Sequence, residues 1–286
     1  MSLLEIFDGR LERLRIQKLL FLFTKIQSNP EYDFIPYKFG CFSYSANADL
    51  TTMISKGLLS ERPGYLEKND KISYIKGLKE ADRKLIFEVK KLYGQLDGNA
   101  LMKHTYINYP YFAINSVKAA ELLSAEELLK VANAKPSLDN TVLFTIGYEG
   151  ISLEGYLNKL IRNNIQILVD VRKNPLSMKY GFSKSLLSRF CGSIGIQYLH
   201  FPEVGIDSDQ RQELNQQSDY DKLFIAYKKD NLKHTLDTQK KILDILKLNK
   251  RIALTCFEAN ICQCHRKPLA ESICALPEFD YELKHI

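Results

Sequence analysis

The chain lacks the features of membrane-spanning and secreted proteins. No part of its 286 residues approaches the uninterrupted apolar run of about 18 residues that a membrane-spanning helix needs. Glu5 stands near the N-terminus, where a signal peptide would carry basic residues, and no cleavage site follows. Six unevenly spaced cysteines are too few for a disulfide framework. We therefore expect a cytoplasmic protein with reduced thiols and without a membrane partner.

The sequence also lacks a basic tail. Its net charge of +6 divides evenly, with an excess of three positive charges in residues 1–140 and again in residues 141–286. This balance permits nucleic-acid binding without indicating it. A hydrophobic content of 45% and a charged content of 26% are ordinary for globular proteins. The length favours two domains, each large enough for its own core.

The first half of the chain has the pattern of a mainly helical domain. Apolar residues repeat at helical spacing over residues 9–27, and further helices are predicted at 45–57, 78–96 and 117–132. Residues 58–65 and 71–75 are predicted to form a two-stranded wing. Helix, helix, hairpin and helix in this order predict a winged-helix-like domain over residues 1–135.

A family resemblance agrees with this prediction. Residues 11–23, the run FIPYKFGCFS at 34–43, Asp49-Leu50 and Gly57-Leu58-Leu59 are similar to the Panacea or SocA-like antitoxin domains. Cys41 stands where that family usually has proline. The resemblance covers residues 10 to about 125 and implies an interaction module, with a protein or a nucleic acid as its partner.

The second half changes to alternating short strands and helices. Residues 133–140 are a plausible linker, and strands are predicted at 141–146, 165–171, 197–201 and 251–256. Helices are predicted between them at 153–162, 183–194 and 220–248, and a last helix at 268–276. This alternation predicts a mostly parallel, Rossmann-like sheet flanked by helices over residues 141–286. The fold class is therefore α/β, preceded by a mainly α domain.

Polar or glycine-containing turns follow all four predicted strands, at the edge where parallel sheets bind ligands. The runs TIGYEG at 145–150, LVDVRKNP at 168–175 with Ser177, GFS at 181–183, CFE at 256–258 and CHR at 264–266 resemble the domain-of-unknown-function family 488 (DUF488). The resemblance covers about residues 141–275. It implies the identity of the domain and leaves its chemistry and its cofactor open.

Ten residues at these turns are candidates for the site. Those predicted to be catalytic are Glu149, Asp170, Glu258 and Cys264, and those predicted to bind the ligand are Tyr148, Arg172, Asn174, His200, His265 and Arg266.

Charge and position give the carboxylates and arginines their predicted roles. Asp170 and Arg172 point to one face of an extended strand, where Asp170 orients Arg172 towards an anion; the alternative is a structural ion pair. Glu149 and Glu258 suit acid–base chemistry or, with Asp170, a magnesium site, unless each caps a helix. Arg266 is predicted to bind an anion at a helix N-terminus.

The thiols and the imidazoles have competing interpretations. Cys264 is predicted to be a nucleophile, because Arg266 and a helix start would depress its pKa, whereas Cys256 is expected to pack as a small apolar residue. A metal set of Cys256, Cys262, Cys264 and His265 has C-x5-C-x-C-H spacing, which differs from the usual zinc pairs, so no metal is assigned. His200 has the alternative of a satisfied sheet-end histidine, and Tyr148 that of core packing.

Three functions fit these residues. The first is binding or processing of a phosphate-bearing nucleotide or nucleic acid in a cleft at the carboxyl ends of the strands. The second is a rhodanese-like sulfurtransferase using Cys256, because Val169-Asp170-Val171-Arg172 is similar to a rhodanese segment, although a glycine-rich persulfide loop is missing. The third is a non-catalytic antitoxin or defence-type sensor or regulator. Whether the protein is an enzyme stays open at this point.

Overall fold

In a computed structural model, which describes residues 1–207 and 214–286, the chain divides into two compact units. The first unit comprises residues Met1–Lys135 and the second comprises Pro136–Ile286. Among the described residues, no helix is long and apolar enough to cross a membrane.

The first unit is mainly helical and contains two small antiparallel sheets. Its helices are α1 (Ser2–Ile6), α2 (Arg13–Ile26), α3 (Tyr44–Ser55), α4 (Glu80–Tyr93), α5 (Gly98–Asn108), α6 (Ala119–Leu122) and α7 (Ala125–Ala134). Its strands are β1 (Arg10–Leu11), β2 (Ile35–Tyr37), β3 (Gly40–Phe42), β4 (Leu59–Arg62) and β5 (Tyr65–Lys68). The strand order is β1-β5-β4 in one sheet, and β2 pairs with β3 in the other.

An aromatic cluster around α2 forms the core of this unit. The ring of Phe21 lies 5.3 Å from that of Phe34, 5.0 Å from that of Tyr109 and 4.6 Å from that of Phe112, all edge-on. The aromatic segment at 34–43 therefore supplies part of this core, and residues 35–42 of it fold as the β2–β3 hairpin.

The first unit has the predicted hairpin between α3 and α4, with different bounds, but a second hairpin, β2–β3, separates α2 from α3, and the winged-helix-like domain stays a prediction. Pro63 and Gly64 form the turn between β4 and β5, and Gly64 has φ +87°. The predicted strand at 71–75 is wrong, because the partner strand of the hairpin is β5. The predicted helix at 117–132 is two helices, since Ser124 starts α7 with a capping box completed by Glu127.

The second unit is a five-stranded parallel sheet with helices packed against it. Its strands are β6 (Val142–Gly147), β7 (Ile167–Asp170), β8 (Gln197–His200), β9 (Arg251–Cys256) and β10 (Glu282–His285), in the order β10-β6-β9-β7-β8. All four pairings are parallel. The helices are α8 (Leu153–Arg162), α9 (Lys184–Ser193), α10 (Gln217–Tyr227), α11 (Leu236–Asn249) and α12 (Arg266–Cys274). The predicted fold class is confirmed.

Burial explains why these strands were recognisable in the sequence. Every residue of β7 and β9 is buried, as are the first five of β6, because helices cover both faces of a parallel sheet. The strand β10 was not predicted. Among the described strands it pairs only with β6, at the sheet edge, and three of the four residues of its sequence, ELKH, are polar and exposed.

Candidate functional site

The strand order decides which turns become neighbours at the carboxyl edge. In the sheet, β9 lies between β6 and β7, and β8 lies beyond β7. The turn after Gly147 is therefore next to the turn after Cys256. The end of β7, at Asp170, lies between the end of β9 on one side and His200, at the end of β8, on the other. The predicted strand-end residues lie along one continuous edge, in an order that differs from their order in the chain.

Asp170 and Arg172 form a buried ion pair at the end of β7. Arg172 Nε donates to Asp170 Oδ1 at 2.9 Å, and Arg172 Nη2 donates to Asp170 Oδ2 at 2.5 Å. Burial acts to lower the pKa of Arg172, but the hydrogen bonds and charge of Asp170 outweigh it and raise that pKa above its ordinary value. Tyr198, on β8, donates a third hydrogen bond to Asp170 Oδ2 at 2.5 Å. The charge of Asp170 is thus balanced inside the protein.

The remaining donors of Arg172 also serve the protein. Its Nη1 donates to Tyr148 Oη at 2.7 Å and to the carbonyl of Phe182 at 2.9 Å. Together with the bonds to Asp170, this occupies four of the five N–H groups of the guanidinium. The Tyr148 ring stacks on Phe182 with a centroid separation of 4.3 Å and an angle of 9°. These contacts favour a positioning role for Arg172 and core packing for Tyr148.

The two glutamates do different things. Glu149 Oε2 accepts a hydrogen bond from the backbone N–H of Ala259 at 2.9 Å, so it ties the turn after β6 to the turn after β9. Glu258 is half-buried, and its Oε2 accepts a hydrogen bond from Cys256 Sγ at 3.1 Å. The predicted magnesium site with Asp170 has no geometric support, because that carboxylate is enclosed by Arg172 and Tyr198.

Thiols, an imidazole and a carboxylate converge at the end of β9. The candidate ligand atoms of Cys256, Glu258, Cys264 and His265 all lie within 4.8 Å of one another. The metal set considered from the sequence included Cys262 in place of Glu258, but Cys262 is exposed and lies outside this group. The other three predicted members do meet.

Burial changes the chemistry expected of Cys264. Its thiol is buried, and burial, with smaller contributions from Cys256 and Glu258, raises its pKa well above the ordinary value. Arg266 acts in the opposite direction with less effect. The predicted depression of this pKa is therefore wrong, because sequence proximity to Arg266 gave no information on burial.

Arg266 is the first residue of α12, two residues before the predicted helix start at 268, and it points into the protein. Its Nη1 donates to the carbonyl of Glu258 at 2.6 Å and to Cys264 Sγ at 3.2 Å. The side chain is only 2% exposed. A Cβ atom on Gly147 would lie 2.9 Å from Arg266 Nη2 and 2.0 Å from the carbonyl oxygen of Glu258, so the close approach of the two turns requires glycine there. Arg266 thus holds the turn after β9 in place.

His265 and His200 bind consecutive carbonyl groups at the end of β7. His265 Nε2 lies 3.0 Å from the carbonyl oxygen of Val171, and His200 Nε2 lies 2.9 Å from that of Arg172. His265 is buried, whereas His200 is half-buried and also accepts a hydrogen bond from Lys184 Nζ at 3.0 Å. Two imidazoles therefore flank β7, one on the β9 side and one on the β8 side.

A cavity of about 700 Å³ opens beside His200 at the start of α9. It is lined by Leu176, Ser183, Lys184, Ser185, Ser188, Tyr198, Leu199 and His200. Asn174, in the loop before it, is exposed. The sequence pointed to His200 but missed Lys184 and Tyr198. The predicted helix start at Ser183 was the signal that could have found Lys184, since a first-turn lysine follows directly.

Comparison with known proteins agrees with the predicted family resemblance of the second unit. The chain matches no curated protein and no solved structure. The N-terminal resemblance to antitoxin domains stays a prediction, since the matching family model lies outside residues 1–135. Residues 152–273 match the model of the family described as Domain of unknown function DUF488, which confirms the resemblance for this part of the chain.

Proposed function

We propose that the second unit binds a phosphate-bearing ligand, a nucleotide or a nucleic acid, in the cavity between the end of β8 and the start of α9. The observation that carries this proposal is the position of Lys184, the first residue of the ten-residue helix α9 and part of the cavity lining. Its ammonium group donates a hydrogen bond to His200. Lysine and the N-terminus of a helix both attract phosphate groups.

The first turn of α9 adds hydrogen-bond donors. Ser183 is the N-cap residue, and its side chain makes no capping hydrogen bond within the helix. Ser183, Ser185 and Ser188 line the cavity with Lys184. Hydroxyl groups and backbone N–H groups at a helix start are common ligands of phosphate oxygens. Leu176 also lines the cavity and contributes apolar surface, which suits a ligand that carries a base or a sugar as well as a phosphate.

The anion is thus proposed to lie away from the two arginines that the sequence suggested. Arg172 and Arg266 are 5% and 2% exposed, and both donate to acceptors of the protein itself. Lys184 is exposed, on the β8 side of the same sheet edge. The proposal keeps the predicted ligand class and the predicted edge, and replaces the residues that would contact the ligand.

The other two functions have less support. A sulfurtransferase needs an accessible persulfide, and the Cys256 thiol is fully buried against Glu258 and His265. A sensor or regulator would use the same cavity without turnover, and the proposal is limited to binding for this reason.

The proposal is tested by equilibrium binding to a fluorescein-labelled single-stranded oligonucleotide, with a nucleoside triphosphate and inorganic phosphate as competitors. We expect Lys184→Gln to weaken binding at least about 10-fold, equivalent to roughly 1.4 kcal/mol. The matched control is Lys159→Gln, which removes an exposed lysine from the far end of α8. Equal affinity of the two variants, or no binding by the unmodified protein, would refute the proposal.

A further inference from the structure

The β9 side of the sheet edge carries a second group of ligand-type residues, separate from the proposed phosphate cavity. Within the two described stretches, 1–207 and 214–286, Cys256, Glu258, Cys264 and His265 bring two thiols, a carboxylate and an imidazole within 4.8 Å of one another. Cys256 is the last residue of β9, Glu258 lies two residues later, and Cys264 and His265 lie between a 3-10 turn at Ile261–Gln263 and α12. These three elements therefore set the spacing of the group. None of these four residues lines the cavity beside α9.

The spacing of these atoms suits a tetrahedral ion. A zinc ion bonded at about 2.3 Å to sulfur and about 2.0 Å to nitrogen and oxygen holds its ligand atoms about 3.3 to 3.8 Å apart. Cys256 Sγ lies 3.6 Å from His265 Nδ1 and 3.1 Å from Glu258 Oε2. These two distances are within a few tenths of an ångström of the tetrahedral spacing, and the limit of 4.8 Å for the whole group requires shifts of at most about 1 Å elsewhere.

The orientation of His265 supports the same conclusion. Its Nε2 lies 3.0 Å from the carbonyl oxygen of Val171, which can only accept, so the ring proton is assigned to Nε2. In that neutral tautomer the lone pair lies on Nδ1, the atom that faces Cys256. A metal-binding histidine typically donates its other ring N–H to a carbonyl or a carboxylate, as His265 does here.

Charge compensation is also built into the site. Two thiolates and a carboxylate around a divalent cation leave one net negative charge, and the Arg266 guanidinium supplies one positive charge. Arg266 Nη1 lies 3.2 Å from Cys264 Sγ, as expected of a donor that stabilises a ligating thiolate. Cys256, Cys264 and His265 are at most 1% exposed, whereas Glu258 is half-buried.

We propose that Cys256, Cys264, His265 and Glu258 bind a divalent transition-metal ion, with zinc the best match to the two sulfur ligands and one nitrogen ligand. Glu258 is the most exchangeable of the four ligands, because it alone has solvent access. The two thiols must lose their protons to bind the ion, so affinity falls as the pH is lowered. This site does not depend on the proposed phosphate cavity.

Metal analysis of the purified full-length protein tests the proposal directly. We expect about one zinc per chain, and cobalt substitution should give the strong near-ultraviolet absorption of thiolate-bound cobalt. Cys256→Ser and Cys264→Ser should each lower zinc affinity by more than the roughly 10- to 100-fold that is typical of changes in outer-shell partners. Cys262→Ser is the matched control, because this exposed thiol lies two residues from Cys264 and outside the group, and it should keep full affinity.

A second variant is needed that is expected to fold normally. Glu258→Gln changes a half-buried side chain, and we expect it to fold and to bind zinc more weakly than the unmodified protein, by competition with a chelator. Several outcomes would overturn the proposal. These are no zinc or cobalt binding by the folded unmodified protein, equal metal content in Cys256→Ser and Cys262→Ser, or a Cys256–Cys264 disulfide in place of the ion.

Discussion

The ion pair between Asp170 and Arg172 should carry a large share of the stability of the second unit. Asp170 is fully buried and Arg172 is 5% exposed, so neither group can recover water when its partner is removed. Breaking a buried ion pair by removing one partner typically costs about 3 to 5 kcal/mol. We therefore expect Asp170→Asn and Arg172→Met each to lower the free energy of unfolding by about this amount.

The two changes should also be strongly coupled. Once Asp170 is replaced, the charge of Arg172 is already unpaired, so removing that charge relieves part of the loss. The double variant should be less destabilised than the sum of the single variants by at least about 1 kcal/mol. Hydrogen exchange of the amides of β6, β7 and β9 is the appropriate assay, since it reports on the second unit without assuming one transition for the whole chain.

An exposed ion pair of the same unit supplies the control. Lys228 Nζ lies 3.0 Å from Glu271 Oε2, with both side chains about half exposed, and such pairs contribute about 0 to 1 kcal/mol. Asp170→Asn costing no more than Glu271→Gln would refute the reasoning. An Arg172 that served a ligand instead of Asp170 would give the reverse pattern, with little effect of Arg172→Met on stability and a large effect on ligand binding.

Two further predictions concern the packing of the sheet edge and the buried thiols. Gly147→Ala should destabilise the second unit by about 1 to 3 kcal/mol, because its Cβ would lie 2.0 Å from the carbonyl oxygen of Glu258. Gly192→Ala is the control and should be neutral or stabilising, because Gly192 is in an open helical position. Thermal unfolding that ranks the two variants the other way would contradict this. Burial raises the pKa of Cys191 from 9.0 to about 12, so from pH 9 upward the unfolded chain loses this proton while the folded chain keeps it. Stability should therefore fall as the pH rises from about 9 towards 12, less steeply in Cys191→Ala, and equal slopes in the two proteins would contradict this.

Most strands of the second unit could be predicted because buried parallel strands have mostly apolar sequences. The bounds predicted for α8 and β9, residues 153–162 and 251–256, agree with the structure. The middle of β9 is apolar because it is buried on both faces, and α8 has a regular apolar face. The helix α5 was missed for the opposite reason. It begins with a glycine, and its buried positions include Thr105 and Tyr106, so its apolar periodicity is weak.

The position of the candidate residues at one edge of the sheet could be predicted from the sequence, whereas the role of each residue could be predicted less well. Parallel topology alone brings strand ends to one edge, so the strand-end residues were found from the sequence. Burial and hydrogen-bond saturation are properties of the folded chain, and they changed the roles of Arg172, Arg266 and Cys264. Sequence spacing also placed Cys262 in the possible metal set in place of Glu258. In the structure the Cys262 thiol is exposed, whereas Glu258, two residues after the end of β9, belongs to the group.

The end of β7 links the two sides of this edge. Its backbone pairs with β9 through the N–H of Val171 and with β8 through the carbonyl of Asp170. The next two carbonyl groups, of Val171 and Arg172, accept from His265 and His200 respectively. The orientation of both imidazoles therefore depends on the path of two peptide groups. Asp170 contacts this segment directly, since its Oδ1 accepts a hydrogen bond from the backbone N–H of Arg172 at 3.1 Å. We therefore expect this buried pair to position the proposed metal-binding group on one side and Lys184, beside the proposed phosphate cavity, on the other.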